Sequence, residues 1–295
     1  MKVRFAIAPP GNLAGVDELA RFVDAAEHLG FDTIWLSDVP LSPLVDPIVG
    51  LAFAAGRTSR IKLGANLVPF GRNPFLLAKS LAQLDVLAHG RVLLSLVRGL
   101  DQPGEAPALG IARAHRGRVL EEIVELLRAW WAGAAIDRDM APLRFEALSS
   151  PARPSQNPLE LWLGGSGPQA LQRVGRVADG WLGSALTPAE AGIARRAIEH
   201  AAAQAGRRID PEHFGMSLAF ASRGYDERSL AQLRARRPDV PLADLAPSGF
   251  EELRRLVSRY VAEGISKFVL RPVGPIGSLE DELSRLAGGI LDLQT

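Results

Sequence analysis

The chain has 295 residues, 47% of them hydrophobic, a net charge of +1 from 34 basic and 33 acidic side chains, and no cysteine. That is enough apolar text for a full core in one α/β barrel or two ordinary domains, and too little charge imbalance to favour nucleic acid or an anionic membrane. Disulfides, thiol nucleophiles and thiolate metal sites are excluded, and no stretch approaches the roughly 20 apolar residues of a membrane span.

The N-terminus, MKVRFAIAPPGN, has too short an apolar run for a signal peptide and enters a strand pattern at Val3, so a cytoplasmic address is expected. A helix follows from Asp17 to Gly30, with Leu19, Phe22, Val23, Ala26 and Leu29 on one face and a glycine stop. TIWLS from Thr33 is the second apolar run, and Asp46 to Gly56 reads as a helix that opens with Pro47 and is apolar nearly all round. IKLGANLV from Ile61 is the third run. Asn73 and Pro74 then start a helix, and RVLLSLV from Arg91 is the fourth. A longer helix spans Ala114 to Gly133, with Val119, Ile123, Leu126, Leu127 and Trp130 at helical spacing. Ala134 to Pro158 breaks the rhythm as a Pro-, Arg- and Asp-rich excursion with one short strand at Leu143 to Ala147. The alternation resumes with LELWLGG from Leu159, a helix over Pro168 to Val177, GWLGS from Gly180 and a helix over Pro188 to Ala205. FGMSLAFAS from Phe214 follows, then helical text to Pro247, a helix over Phe250 to Gly264, KFVLRP from Lys267 and a last helix from Ser278.

Apolar runs thus recur about every thirty residues, the length of a βα unit, and eight of them alternate with helices. Parallel strands covered by crossover helices follow, because each connection must pass back over the sheet. An open doubly wound sheet has fewer strands and wants a glycine fingerprint after the first one, which IAPPGNLAG lacks. The expected architecture is a single domain over residues 1–295, a (β/α)8 TIM barrel with an inserted segment before the fifth strand.

Chemistry in such a barrel belongs at the C-terminal strand ends. In LWLGGSGPQALQRV a strand ends at Gly164 and Gly165, Ser166 and Gly167 follow, and Pro168 opens a helix whose first amides are free. This is a potential phosphate cradle, or a tight turn that needs glycine only for its shape. Asp38 ends the second run, facing the mouth or capping the turn at Pro40. Arg98 and Arg271 end the fourth and eighth. They either hold an anionic substrate or coenzyme tail, or serve as an ion-pair partner of Asp101 or Glu105 and a surface residue respectively. None of the five histidines ends a strand or has metal-ligand spacing, so no metal site is expected. Ser37, Ser95 and Ser166 have no base in view, and Trp162 and Trp181, inside strands, read as packing residues. A mouth poor in acid and base groups beside a phosphate cradle implies chemistry borrowed from a cofactor.

Four blocks in order carry a resemblance: EHLGFDTIWLSD; DPIVGLAFAAGRTSRIKLGANLVPFGRNPFLLAKSLAQLDVLAHGRVLLSL; LELWLGGSGPQALQRVGRVADGWL; and YVAEGISKFVLRP. Together they resemble the bacterial luciferase-like flavin-dependent oxidoreductases, including the branch that uses the deazaflavin coenzyme F420. The resemblance implies a TIM barrel. It places the cofactor ring against a bulge at the third strand's end, often with a cis non-proline peptide, here at Asn66 and Leu67, and the phosphate in the turn of Gly164, Gly165 and Ser166. Asp38 stands where many members carry the Asp of an Asp-His pair.

Two positions depart from that pattern. Val39 follows Asp38 where a His is common, and Arg98, Gly99 and Leu100 stand where glycine and an acid are common at the end of the fourth strand. The resemblance implies an oxidoreductase or monooxygenase using reduced F420, alternatively FMN, on a small, mostly apolar substrate. The alternative is a degenerate barrel that binds a flavin or small ligand without turnover. Homodimers are common in the family, and the apolar Asp46–Gly56 and Pro74–Ala88 helices suit such a contact.

Overall fold

The computed structural model describes residues 1–11, 13 and 15–295. In chain order its first half runs β1 (Arg4–Ile7), α1 (Val16–Leu29), β2 (Thr33–Ser37), α2 (Pro47–Ala55), β3 (Lys62–Leu67), α3 (Pro74–Leu87), β4 (Val92–Leu96), α4 (Glu105–Leu109), α5 (Arg113–Trp131), β5 (Ile136–Met140) and β6 (Leu143–Leu148). The second half runs β7 (Leu161–Gly164), α6 (Pro168–Val177), β8 (Gly180–Ser184), α7 (Pro188–Gln204), β9 (Phe214–Phe220), α8 (Glu227–Arg236), α9 (Phe250–Ala262), β10 (Lys267–Pro272) and α10 (Leu279–Ile290). Eight parallel strands close in the order β1-β10-β9-β8-β7-β4-β3-β2, so every barrel strand pairs with its neighbours in sequence. This is the (β/α)8 architecture expected from the eight-fold alternation.

Local chemistry sets the helix starts. The Asp46 and Asn73 carboxyl and amide oxygens accept from the second and third amides of α2 and α3, each with Pro in the first position. Thr187 and Glu190 form a reciprocal capping box on α7. The excursion before the fifth barrel strand is not a single strand but an antiparallel hairpin, β5 on β6. Its outward faces carry Asp137, Arg138, Asp139, Arg144 and Glu146, so it shows no apolar alternation by which the first of its strands could be read. The five-residue α4, held between Gly104 and Gly110, was also outside the expected elements.

Two apolar layers result. The larger packs the outward strand faces against the helices; Leu67, Trp181 and Met216 belong to it. The smaller comprises Ala6, Ala8, Trp35, Leu93, Trp162, Leu182 and Val269. These are alternate residues of six strands, which places them inside the barrel. Trp35 and Trp162 dominate this waist and dictate its glycines. A Cβ on Gly64 would enter the Trp35 ring, and one on Gly180 would lie 2.5 Å from Trp162 Cε2. Gly64→Ala is therefore expected to destabilise the protein by about 1–3 kcal/mol through overpacking. An unchanged urea midpoint would show that the indole has room to move.

Below the waist, at the N-terminal strand ends, the interior turns ionic. Lys267 Nζ donates to Asp32 Oδ2 at 2.6 Å and to Thr33 Oγ1 at 2.8 Å, with Arg4 and Lys62 within 4 Å of the same carboxylate. A cavity of about 160 Å³ opens there, roofed by Leu93 and Trp162. Lys267 begins its strand, so it belongs to this end and not to the mouth.

Candidate active site

Strand alternation carried upward from the waist brings Ser37, Asn66, Ser95, Gly164, Ser184, Ser217 and Arg271 to the inner rim of the C-terminal mouth. Ser37, Asn66, Gly164, Ser184 and Arg271 are half-buried, while Ser95 is fully buried beneath them. The rim is thus small, polar and open, over an aromatic floor. Two polar atoms here lack a partner, the Ser95 hydroxyl and the Trp35 indole N–H. Buried polar groups are ordinarily satisfied, so these two atoms, both closed to solvent, are exceptions within the barrel interior.

At the third strand the expected bulge is absent. Asn66 and Leu67 pair in register with Ser95 and Leu96, Asp38 N–H donates to Asn66 O at 2.8 Å, and Val97 N–H donates to Leu67 O at 2.9 Å. Both carbonyls are held in the ladder, which keeps the chain extended. Among the described residues the cis peptides precede Pro142 and Pro158, so the Asn66–Leu67 bond is trans. Asn66 projects to the rim, whereas the Leu67 side chain is buried in the outer layer.

Asp38 sits just past β2 and is tied to the exit of β3. Its Oδ2 accepts from Val68 N–H at 3.1 Å and from Arg72 Nη2 at 3.2 Å, and Arg72 also bonds Asp46 at 2.6 Å. Burial pushes its carboxyl above the ordinary value despite the bonds from Val68 and Arg72, and the Asp46 charge adds to the rise. Arg72 was not foreseen; only its place in the loop FGRNP, shared with the capping Asn73, hinted at a role.

The corner between β4 and β7 concentrates positive charge. Leu96 pairs with Leu163, and extending that register places Arg98 beside Gly165 at the start of the glycine turn. Neither of the carboxylates proposed as its ion-pair partner is hydrogen-bonded to it. Asp101 pairs with Arg113 at 3.2 Å, and Glu105 pairs with Arg116 at 2.6 Å. Arg98 is held below its ordinary pKa by burial and by the guanidinium groups of Arg113, Arg173 and Arg116. The loop carrying it is pinned from below. Arg116 Nη1 donates to Arg98 O at 2.9 Å, and the Glu105 carboxylate accepts from Leu100 and Asp101 N–H. Arg116 is fully buried, with Nη2 unpartnered. The Glu105–Arg116 pair escaped sequence reading because eleven residues and a short helix separate its members.

The glycine turn leaves the start of α6 open to solvent. Gly165, Ser166 and Gly167 are exposed, and Gly167 caps α6 with no side-chain bond to its first turn. Gly165 has φ of +114°, and a Cβ there would lie 2.8 Å from the Ala170 Cβ, so only glycine fits. Trp181 Nε1 donates to Gly165 O at 2.8 Å and fixes the turn from behind. An exposed helix start reached through glycines suits a phosphoryl group, so the turn fits the group that the resemblance implies.

Across the mouth, Arg271 is half-buried rather than on the surface. Its Nε donates to Ser217 Oγ at 3.0 Å, and burial together with nearby Arg236 brings its pKa down to about 10. Arg236 of α8 was not singled out, being one of several arginines in helical text.

Fold and rim define a (β/α)8 barrel with an exposed glycine turn at one corner of an open polar mouth. The profile of the luciferase-like monooxygenases matches residues 3–265, and the chain belongs to that family. Among curated relatives, the 5,10-methylenetetrahydromethanopterin reductase of Methanolobus tindarius is 29% identical over 66% of this chain. The F420-dependent hydroxymycolic acid dehydrogenase of Mycobacterium tuberculosis is 33% identical over 57% of it. The chain spans 58% and 49% of the lengths of these two. In structure it is similar to an F420-dependent secondary alcohol dehydrogenase bound to an F420-acetone adduct, with a TM-score of 0.83, 17% identity and full coverage of both chains. It is also similar to the monooxygenase RslO1 from Streptomyces bottropensis, with a TM-score of 0.81, 22% identity and coverage of 98% of this chain and 99% of that one. No helix among the described residues is long and apolar enough to cross a membrane.

Proposed function

We propose that the protein is an oxidoreductase that uses coenzyme F420, with FMN as the alternative, on a small organic substrate at the barrel mouth. The observation that carries this is the turn of Gly164, Gly165 and Ser166 at the start of α6, with Arg98 in register with Gly165 on the adjoining strand exit. Relatives whose names include F420 support the deazaflavin. A bound flavin or deazaflavin supplies the hydride or oxygen chemistry that these side chains lack.

In this assignment the α6 amides and Arg98 hold the phosphoryl group. Asn66 and the β3 backbone at Leu67 back the ring. Asp38 holds a proton at Oδ1, since Oδ2 accepts from Val68 and Arg72, and its upward-shifted carboxyl favours that protonated form. The apolar outer faces of α2 and α3, with Val49, Leu76, Val86 and Leu87 exposed, support a homodimer.

Titration of the protein with F420 and FMN, followed by cofactor absorbance and fluorescence, tests the assignment. Arg98→Met is expected to weaken either cofactor about tenfold or more, the worth of a charge-assisted bond, while leaving riboflavin, which has no phosphate, unaffected. Equal loss for FMN and riboflavin would remove Arg98 from the phosphate site. Failure of the wild type to bind F420 or FMN at micromolar concentration would end the redox assignment.

A further inference from the structure

The rim over β8, β9 and β10, beginning one strand from the cradle, has a composition that the phosphate assignment does not account for. Arg271 at the end of β10 and Arg236 at the end of α8 line one small cavity, and no carboxylate lines it among the described residues. Arg237, which also borders it, is neutralised by Glu190 and Asp239. Among the described residues Arg236 and Arg271 have hydroxyl partners: Arg236 Nη2 donates to Ser184 Oγ and Arg271 Nε to Ser217 Oγ, each at 3.0 Å. Ser184 and Ser217 are register partners on β8 and β9, so both hydroxyls and both guanidinium groups meet at one point of the mouth.

Each serine oxygen already accepts a bond, which leaves its O–H to donate. The remaining guanidinium N–H groups donate as well. The cluster therefore offers several donors and two positive charges with no carboxylate among the described residues lining it, a set complementary to an oxyanion and hostile to a cation. Two like charges held together without a counter-ion cost free energy in the free protein, a cost that an anionic ligand removes.

We propose that the β8–β9–β10 side of the mouth is the subsite for an oxyanionic head group of the substrate (sulfonate, phosphate or carboxylate), held by Arg271 and Arg236 with Ser184 and Ser217. The substrate class of the oxidoreductase assigned above is then an organic anion whose apolar part lies over the Trp35 and Trp162 floor, and the proposal rests on that assignment for the reaction but not for the binding. The cavity is about 20 Å³, room for one water-sized body. A head group enters by lifting Arg236 off Ser184. That motion disturbs little packing, because α8 has no buried residue.

Calorimetric titration with benzenesulfonate and its neutral counterpart benzenesulfonamide tests this directly and needs no cofactor. The wild type is expected to bind the sulfonate about tenfold or more tightly than the sulfonamide, and Arg271→Gln and Arg236→Gln each to abolish that preference while Arg98→Met retains it. Arg236→Gln, on an exposed helix, keeps the test valid if Arg271→Gln does not fold. Sulfonate binding no tighter than that of the sulfonamide, or a preference that survives both changes, overturns the subsite. So does weakening of F420 in place of sulfonate, which would assign the pair to a coenzyme tail. Arginine-dependent sulfonate binding by a protein that binds neither F420 nor FMN would uphold the subsite and refute the redox assignment, which separates the two failures.

Discussion

The largest loss of stability is expected from Asp32→Asn, about 3–5 kcal/mol at neutral pH, because it leaves the Lys267 ammonium buried without its counter-ion. The two side chains are 11% and 5% exposed, so solvent does little to compensate. Burial alone would push the Asp32 carboxyl up, but Lys267 and Lys62 outweigh it and hold it below its ordinary value. Its contribution is therefore present above the unfolded carboxyl pKa and lost as the pH falls through the lower, folded one. Lys267 also falls below its ordinary value, but here burial is the cause. Burial brings it down to about 8 although Asp32 opposes the fall, so between that pH and its unfolded value of 10.5 the unfolded chain binds more protons and stability rises with pH. Removing Asp32 lowers the lysine further, and the rise should begin at lower pH in the variant. Urea denaturation from pH 5 to pH 10 measures both effects, and adding Lys267→Met should recover much of the loss. An Asp32→Asn protein with the wild-type midpoint at pH 7 would mean the ammonium is hydrated in place.

Arg116→Met is expected to cost a similar amount, about 3–5 kcal/mol, and to cost cofactor binding as well. Burial would raise the Glu105 carboxyl, but the Arg116 hydrogen bond and the amides of Leu100 and Asp101 keep it below the usual range, so it is an anion with no water to turn to. The same guanidinium holds the carbonyl of Arg98. The variant should therefore melt early and bind F420 or FMN no better than Arg98→Met does. Replacing both partners, as Glu105→Leu with Arg116→Met, should restore much of the melting temperature but not the affinity. Recovery of both would show that Arg98 needs no pinning from below.

The barrel was legible because its signal is repetition: eight apolar runs about thirty residues apart outweigh any local ambiguity. The hairpin of β5 and β6 was half-read because charged side chains interrupt Ile136 to Met140, and strands outside a core need no apolar face. At the site, single-residue signals with a backbone cause came through. The turn at Gly164 and Gly165 is one of these, since a positive φ and a close approach leave glycine as the residue that fits. Partnerships did not come through. By sequence Asp101 and Glu105 are both near Arg98, but in the fold Arg113 and Arg116 hold those carboxylates. The regular ladder at Asn66 and Leu67 likewise departs from what the resemblance implied, because hydrogen bonds to Asp38 and Val97 occupy both carbonyls.

The pair of indoles across the middle of the barrel acts as a bulkhead. Whatever enters from the rim stops at Trp35 and Trp162, and the salt-filled chamber around Lys267 is sealed from it. Heat tolerance and ligand preference are thereby placed in separate compartments, and a lineage is free to retune one by substitutions that the other never registers.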